Sequence, residues 1–210
     1  ALAQAESSMK LAQKHVCDTA AKISAARKKA VKPLTQQVIT LLQELGISNA
    51  ALTVEIGVTE PTSTGIDKID IMFSANKGIA PRPLAQVASG GEFSRLMFCI
   101  KYVMAEKTAM PTLILDEIDT GVSGDIAMKL GDLMKSMAKK HQLITITHLP
   151  QVAAKGDTHF FVYKDNTAAK TMSAIKQLEA HDRVEEIAKM IGGSSPSKIA
   201  LQNARELLAL

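Results

Sequence analysis

Two apolar strand patterns with a helical pattern between them constrain the fold of this chain more than any other feature. Residues 112–115 and 143–146 are largely apolar runs, and a helical pattern covers about 124–140. Apolar strands that alternate with helices are typical of a parallel sheet covered on both faces. The sequence therefore predicts an α/β fold for the second half of the chain.

The rest of the chain is predicted to add a β-hairpin and further helices. Apolar and polar residues alternate around 52–58 and again around 69–73, and turn-forming residues at 60–65 separate the two stretches. This pattern predicts a hairpin, followed by a long irregular loop. The remaining predicted elements are that loop at 74–88, a helix at about 91–108, strands near 159–164 and 171–178, and helices near 182–191 and 196–208.

A heptad pattern runs through the first 30 residues, within a segment of about 45 residues that we expect to be helical. Apolar residues recur at every seventh position, and mostly small residues lie three positions after the first four. These residues are Leu2, Met9, Val16, Ile23 and Ala30, then Ala5, Ala12, Thr19 and Ala26. So narrow a seam predicts packing against a second helix in a coiled coil, and the alternative is an amphipathic helix lying on a globular core. Pro33 is expected to kink or end the coil.

Composition and charge exclude several classes of protein. The chain is 46% hydrophobic and 22% charged, as is typical of a globular protein, and no apolar run approaches the ~20 residues that span a bilayer. The two cysteines lie far apart, which disfavours a disulfide framework and favours a reducing cytosol. A net charge of +4 permits contact with nucleic acid without arguing for it, and the absence of Trp disfavours a base-stacking platform.

A glycine motif precedes the helix predicted at about 91–108. Its residues are Ser89, Gly90, Gly91 and Glu92. Glycines at a helix start let backbone N–H groups approach an anion, and the helix dipole adds partial positive charge. The alternative is a plain helix cap, with Ser89 and Glu92 as a capping box.

An acidic cluster follows the first apolar strand. Asp116, Glu117 and Asp119 are three carboxylates within four residues. Open α/β sheets bind ligands at the carboxyl ends of their strands, so Asp116 can hold Mg²⁺ and Glu117 can orient and deprotonate an attacking water. The alternative is a solvated acidic turn, which is costly at the exit of a buried strand without a cation.

A histidine stands at the corresponding end of the second apolar strand. His148 follows Thr147 and precedes Leu149 and Pro150. An imidazole at this place is suited to contact a γ-phosphate or the attacking water. A structural histidine is the alternative.

The order of these three motifs resembles a known family. A glycine motif, then a strand ending in Asp-Glu, then a strand ending in His is the layout of the C-terminal half of an ABC-type ATPase head. The longer runs are similar to the bacterial DNA-repair branch of the SMC-like (structural maintenance of chromosomes) ATPases, over essentially the whole chain. They are NKG (76–78), PRPL (81–84), VASGGE (87–92), DEIDTGVSG (116–124), THLPQVAA (147–154) and ARELL (204–208).

The resemblance implies a fold and a domain organisation. Residues 46–210 would form the C-terminal lobe of an ABC-type ATPase head, a mostly parallel sheet flanked by helices, with a β-hairpin. Residues 1–45 would form the returning helix of a coiled coil and its docking segment. Because the chain opens on residues typical of a helix interior, we expect it to be a piece of a longer protein.

The resemblance also assigns the glycine motif a role. Ser89, Gly90 and Gly91, followed by Glu92, would form the signature that reaches across a head-to-head dimer to the γ-phosphate of ATP held by the other subunit. Ala88 stands where many transporters of the superfamily have Leu, which disfavours a transporter.

The strand ends carry the remaining implied roles. Asp116 would be the Mg²⁺ carboxylate, Glu117 the general base and His148 the switch histidine. Ser123 stands where many relatives have the Asp of an inter-subunit loop, so the contacts of that loop across a dimer are not carried over.

A phosphate-binding loop is missing from this sequence. Such a loop needs a Gly-Lys pair after further glycines, and no Gly-Lys pair occurs anywhere in the chain. In the family this loop lies in the N-terminal half of the head. We therefore expect that the chain alone neither binds nor hydrolyses ATP efficiently.

Three functions remain open from the sequence. The first is half of an ATP-hydrolysing head in DNA double-strand-break repair and recombination. Its cofactors would be ATP and Mg²⁺, and its partners the N-terminal lobe of the same protein, a second head joined through ATP, and DNA, in the cytoplasm at the nucleoid and without membrane contact. The second is a non-catalytic assembly or DNA-tethering module, against which the presence of both Asp116 and Glu117 argues. The third is the head lobe of another SMC-like chromosome-maintenance ATPase.

The densest basic stretch lies within the predicted coil. It consists of Lys22, Arg27, Lys28, Lys29 and Lys32. These side chains could meet DNA phosphates near the base of the coil, and the alternative is the solvated face of a helix.

Overall fold

The chain folds into two compact units, Ala1–Val103 and Met104–Leu210. The structure is a computed structural model that describes residues 2–87, 90–105, 107–108, 110–116, 118–165 and 172–209. The elements up to residue 105 are α1 (Leu2–Glu44), β1 (Ala51–Thr62), β2 (Gly65–Ser74), β3 (Arg82–Pro83), a 3₁₀ helix (Leu84–Gln86) and α2 (Gly91–Ala105). The later elements are β4 (Thr112–Asp116), α3 (Gly124–Ala138), β5 (Gln142–Ile146), α4 (Pro150–Ala153), β6 (Phe160–Asp165), β7 (Met172–Gln177), α5 (Ala180–Gly192) and α6 (Lys198–Leu208).

Helix α1 continues for 43 residues and passes through Pro33. Proline lacks the N–H that would bond one turn back, yet the helix continues here, in agreement with the expected helical segment of about 45 residues. That the coil ends or kinks at Pro33 stays a prediction. The hydroxyl of Thr35 donates to the carbonyls of Val31 and Lys32 at 3.0 and 3.1 Å, next to the proline. Val38 and Leu42 are fully buried beyond it. Tertiary packing of this last segment therefore outweighs the local cost of the proline.

The heptad seam in the first half of α1 is exposed to solvent. Residues 2–19 are all exposed, including Leu2, Met9 and Val16. This exposure is what a coiled-coil seam without its partner helix should show. Within the described residues no globular core covers this seam, and the choice between a coiled coil and an amphipathic helix on a core stays a prediction.

The predicted β-hairpin is present and its register follows the apolar pattern. β1 and β2 pair antiparallel, with Leu52 opposite Phe73 and Val54 opposite Ile71. The short strand β3 pairs with the other edge of β2. Residues 74–88 were expected to be irregular throughout, whereas their described part contains β3 and the 3₁₀ helix.

Strands β4 and β5 pair in parallel, as predicted. Leu113 lies opposite Leu143, and Asp116 lies opposite Ile146 at the carboxyl ends. One face packs towards α3, where Leu115 is buried and the Thr145 hydroxyl lies 4.0 Å from the sulfur of Met134.

The other face of this strand pair is open, although the sequence predicted cover on both faces. Three isoleucines lie on it: Ile114, Ile144 and Ile146 are 61%, 46% and 56% exposed. We call these three residues the isoleucine face. Within the described residues, the sheet is therefore covered on one side only.

Helices α4, α5 and α6 form a small core of their own in the second unit. Its buried members are Ala154, Ile187, Ala188 and Ala204. The guanidinium of Arg183 donates to the carbonyl of Ala154 at 2.9 Å and so caps the end of α4. Strands β6 and β7 form an antiparallel hairpin. No helix in the described part of the chain combines the length and the apolar character needed to cross a bilayer.

Candidate functional site

The described part of the glycine motif forms the start of α2. Gly91 is the first helical residue, and the carbonyl of Gly90 accepts a hydrogen bond from the backbone N–H of Ser94 at 3.0 Å. Ala88 and Ser89 lie outside the described residues, so the capping box stays a prediction. A Cβ placed on Gly90 would meet no atom within 4 Å. The space beside this backbone is open, which an approaching anion requires.

Two charged side chains follow on α2. Glu92 is exposed, and Arg95 one turn later is partly buried. Burial lowers the pKa of the Arg95 guanidinium, while the charge of Glu92 acts in the opposite direction. An arginine stays charged under such a perturbation because its ordinary pKa lies so far above neutrality.

Asp116 ends β4 on the open side of the sheet. Its side chain is exposed and alternates with Leu115, so it shares a face with Ile114. Glu117 lies outside the described residues. Among the residues described, no cluster of three or more His, Cys, Asp or Glu side chains is arranged to hold a metal ion. Mg²⁺ takes one or two carboxylates and completes its shell with water and substrate phosphates, so a single exposed carboxylate fits an ion that arrives with a nucleotide.

Asp119 does not belong to a solvated acidic turn. Its side chain is only 1% exposed, three residues after the end of β4. Oδ2 accepts a hydrogen bond from the hydroxyl of Thr147, which follows β5. The same hydroxyl accepts from the backbone N–H of Leu149 at 3.0 Å. The carboxylate thus ties the segment after β4 to the segment after β5.

His148 lies at this junction with its imidazole 66% exposed. Its Nδ1 is 3.6 Å from Oδ1 of Asp119. The structure therefore brings the acidic segment and the histidine motif together at the carboxyl edge of the parallel strand pair. In the sequence, Asp119 is one of three similar carboxylates, and no local pattern gives it a role of its own. The only signal was its position before a strand whose end carries a hydroxyl and an imidazole.

One member of the basic stretch is already engaged. Nη1 of Arg27 donates to Asp67 at 2.8 Å, and Nη2 donates to the carbonyl of Thr64 at 2.7 Å. Its guanidinium joins α1 to the hairpin, which lowers its value as a phosphate ligand. The four lysines of the stretch, Lys22, Lys28, Lys29 and Lys32, are exposed.

Comparison with known proteins identifies the family. The DNA repair protein RecN of Rickettsia conorii is 38% identical over 200 residues, which are 95% of this chain and 37% of that protein. RecN of Haemophilus influenzae is 36% identical over 194 residues, or 91% of this chain and 35% of that protein. The chain belongs to the RecN family. It spans about a third of the length of these relatives, and no family model matches it.

Solved structures show the fold of this RecN-family chain. The Smc head domain of Pyrococcus yayanosii, solved with a coiled coil and joint, has a TM-score of 0.57 at 16% identity, over 76% of this chain and 29% of that one. An SMC ATPase studied for ATP-driven dimerization and DNA-stimulated activation has a TM-score of 0.53 at 16% identity, over 81% of this chain and 99% of that one. The predicted α/β fold class, with parallel strands, a β-hairpin and a long N-terminal helix, is confirmed, and this fold is similar to that of SMC head domains.

Proposed function

We propose that this chain is the C-terminal lobe of the ATPase head of a RecN-type DNA repair protein and supplies half of a site that binds and hydrolyses ATP. The observation that carries the proposal is the parallel pairing of β4 and β5. It sets Asp116 opposite Ile146, and the hydrogen bond from Thr147 to Asp119 joins the two segments that follow. Residues 1–45 would be the returning coil with its docking segment, and residues 46–210 the lobe.

Three residues at the strand ends would carry the chemistry. Asp116 would hold Mg²⁺, which neutralises charge on the phosphates of ATP when bound. Glu117 would orient the attacking water and take its proton. His148 would contact the γ-phosphate or that water, and the exposure of its ring supports this role.

The glycine motif would serve a second head. Ser89, Gly90 and Gly91, with Glu92 behind them, would bind the γ-phosphate of ATP held by the other subunit through backbone N–H groups at the start of α2. The open space at Gly90 supports this role. ATP would then join two heads, and hydrolysis would release them.

The N-terminal lobe of the same protein would complete the site. The sequence has no Gly-Lys pair for a phosphate-binding loop, so this lobe alone would be inactive. The isoleucine face is an apolar surface beside Asp116, and a lobe that covered it would also bring its nucleotide to that carboxylate. Within the whole protein, the head would act in DNA double-strand-break repair and recombination in the cytoplasm, at the nucleoid.

ATP turnover by the reassembled head tests the proposal. The chain is co-expressed with the N-terminal lobe of its parent protein, and wild type is compared with Glu117→Gln. We expect turnover that requires both lobes and collapses in the variant, with Glu185→Gln, an exposed glutamate on α5, as the matched control. A folded complex without turnover would favour a non-catalytic assembly module, and turnover indifferent to Glu117→Gln would refute the assigned base.

A further inference from the structure

The carboxylate of Asp119 is buried, and only one of its two oxygens accepts a hydrogen bond from a described residue. Its side chain is 1% exposed. Oδ2 accepts from Thr147, whereas Oδ1 is buried and accepts no hydrogen bond from any residue that the structure describes. A buried charged oxygen is costly unless it meets a donor, so the direction in which Oδ1 faces is informative.

That oxygen faces the imidazole of His148. Its distance to Nδ1 is 3.6 Å, and a shortening of about 0.5 Å would give an ordinary N–H···O hydrogen bond. Catalytic hydrogen bonds are often long before substrate binds and tighten in the complex. Meanwhile the bond from Leu149 N to Thr147 Oγ1, at 3.0 Å, holds the backbone on both sides of the histidine.

We propose that Asp119 is the positioning residue for His148. Its Oδ1 accepts a hydrogen bond from Nδ1–H, which fixes the orientation of the ring and leaves Nε2 as the nitrogen that meets the nucleotide or its attacking water. The imidazole keeps this proton, and Asp119 acts only as a hydrogen-bond acceptor. This inference rests on the proposed function, since it concerns how His148 acts in ATP hydrolysis.

A purely structural role explains only half of the geometry. Joining the two segments requires the bond between Thr147 and Oδ2, and any acceptor at position 119 could provide it. A structural role does not explain why position 119 carries a carboxylate whose second oxygen is buried and faces the exposed imidazole of His148.

Steady-state kinetics of the complete protein, with both head lobes, test the inference. Asp119→Asn keeps the shape and an oxygen for Thr147, but it can present an amide N–H to Nδ1 and so favour the wrong tautomer. We expect kcat to fall about 10–100-fold, the range known for residues that orient a functional histidine, with little change in KM. Asp132→Asn is the matched control, since this exposed carboxylate on α3 pairs with Lys155 at 2.6 Å and lies outside the site.

The double variant separates positioning from structure. If Asp119 acts through His148, then Asp119→Asn adds nothing to the loss already caused by His148→Ala. Fully additive losses, or an unchanged kcat in Asp119→Asn, would overturn the inference while leaving the ATPase proposal standing. Turnover that ignores His148→Ala would overturn both the histidine's role and its positioning.

A measurement on the wild-type protein covers the case in which Asp119→Asn fails to fold. Heteronuclear NMR of histidine-labelled protein, with the His148 signal assigned by its loss in His148→Ala, reports which ring nitrogen carries the proton. We expect a protonated Nδ1. An unprotonated Nδ1 would overturn the inference whatever the kinetics show.

Discussion

Asp67 is held by side chains from α1 although it belongs to the hairpin. The hydroxyl of Ser24 donates to Oδ1 at 2.6 Å, and the guanidinium of Arg27 donates to Oδ2 at 2.8 Å. These two bonds, that of Ser24 first, hold the pKa of Asp67 below its usual value near 3.8. We call Ser24, Arg27 and Asp67 the helix–hairpin latch.

The latch makes a stability prediction with a defined pH dependence. Because the folded pKa of Asp67 is lowered, its contribution is complete above the unfolded pKa and is lost as the pH falls through the folded pKa. We expect Asp67→Asn to lower Tm at neutral pH, and the difference from wild type to shrink below about pH 4. Thermal unfolding of both proteins across this range measures it.

The matched control is Asp70→Asn on the same strand. Asp70 pairs with Lys68 at 3.3 Å, and both side chains are exposed. Exposed pairs of this kind contribute little to stability. If Asp70→Asn lowered Tm as much as Asp67→Asn does, the latch would contribute no more to stability than an exposed ion pair.

The two cysteines are predicted to differ sharply in reactivity. Cys99 is fully buried, and burial raises the pKa of its thiol to about 12, whereas Cys17 is exposed. Since the thiolate is the nucleophile, a maleimide at about pH 8 should label Cys17 and spare Cys99 in the native chain. Peptide mass spectrometry locates the label, and the denatured chain should take up two. Native labelling of Cys99 would contradict this packing of α2.

At the residue scale, sequence supplied the candidates but not their partners. Arg27 stood in a basic run, and only the fold shows that it faces Asp67, 40 positions away. Asp119 looked like its acidic neighbours until its partner, 28 positions later, gave it a separate environment. Burial and pairing across such distances depend on strand register, which a local pattern does not contain.

Helices α3 and α4 approach closely at Gly131. A Cβ there would lie 2.9 Å from Cγ of Lys155 and 3.2 Å from the carbonyl oxygen of Gln151. The histidine motif enters α4 directly, since Leu149 is its N-cap. Gly131 therefore sets the distance of α4 from α3 and, through α4, the place of the loop before it.

We expect Gly131→Ala to destabilise the chain. Alanine gains about 1 kcal/mol in a helix relative to glycine, but overpacking costs about 1–3 kcal/mol, and the carbonyl oxygen is backbone and yields poorly. The expected net loss is about 1 kcal/mol in denaturant unfolding. Lys129→Ala, an exposed site on the same helix, is the control and should be near neutral. A stabilised Gly131→Ala would show that α4 is free to move away.

At the element scale, the segments with a clear apolar pattern were predictable, and the elements of two to four residues were not. The alternating pattern predicted the hairpin, because alternation indicates both the strands and their buried face, whereas the pairing of Leu52 with Phe73 is known only from the structure. α4 has four residues and β3 has two. Neither element is long enough to show a periodic pattern of apolar residues. β3 is defined by its pairing with the edge of β2.

On the scale of the whole molecule, the isoleucine face is the surface that we propose the N-terminal lobe covers. Three exposed isoleucines on one side of a parallel strand pair are unusual, because such sheets are normally covered on both faces. The proposed N-terminal lobe would supply this cover. The apolar strand pattern predicted that both faces of the sheet are covered. It could not show that the described residues leave one of these faces exposed.

Charge on this face should prevent reassembly of the head. An aspartate buried at the interface would pay a large desolvation cost, so we expect Ile144→Asp to abolish co-purification with the N-terminal lobe. Ile199→Asp on α6, where the isoleucine is 73% exposed, is the matched control and should leave the complex intact. Recovery of a normal complex with Ile144→Asp would place the contact elsewhere.

The length of α1 gives the helix–hairpin latch a mechanical meaning. At 1.5 Å per residue, roughly 38 Å of rigid helix separate Leu2 from Arg27. This part of the helix extends beyond its contact with the hairpin tip, where Arg27 donates a hydrogen bond to the carbonyl of Thr64. We therefore expect a displacement of the start of this helix to act on the hairpin through Ser24 and Arg27, whose side chains bond Asp67 and Thr64.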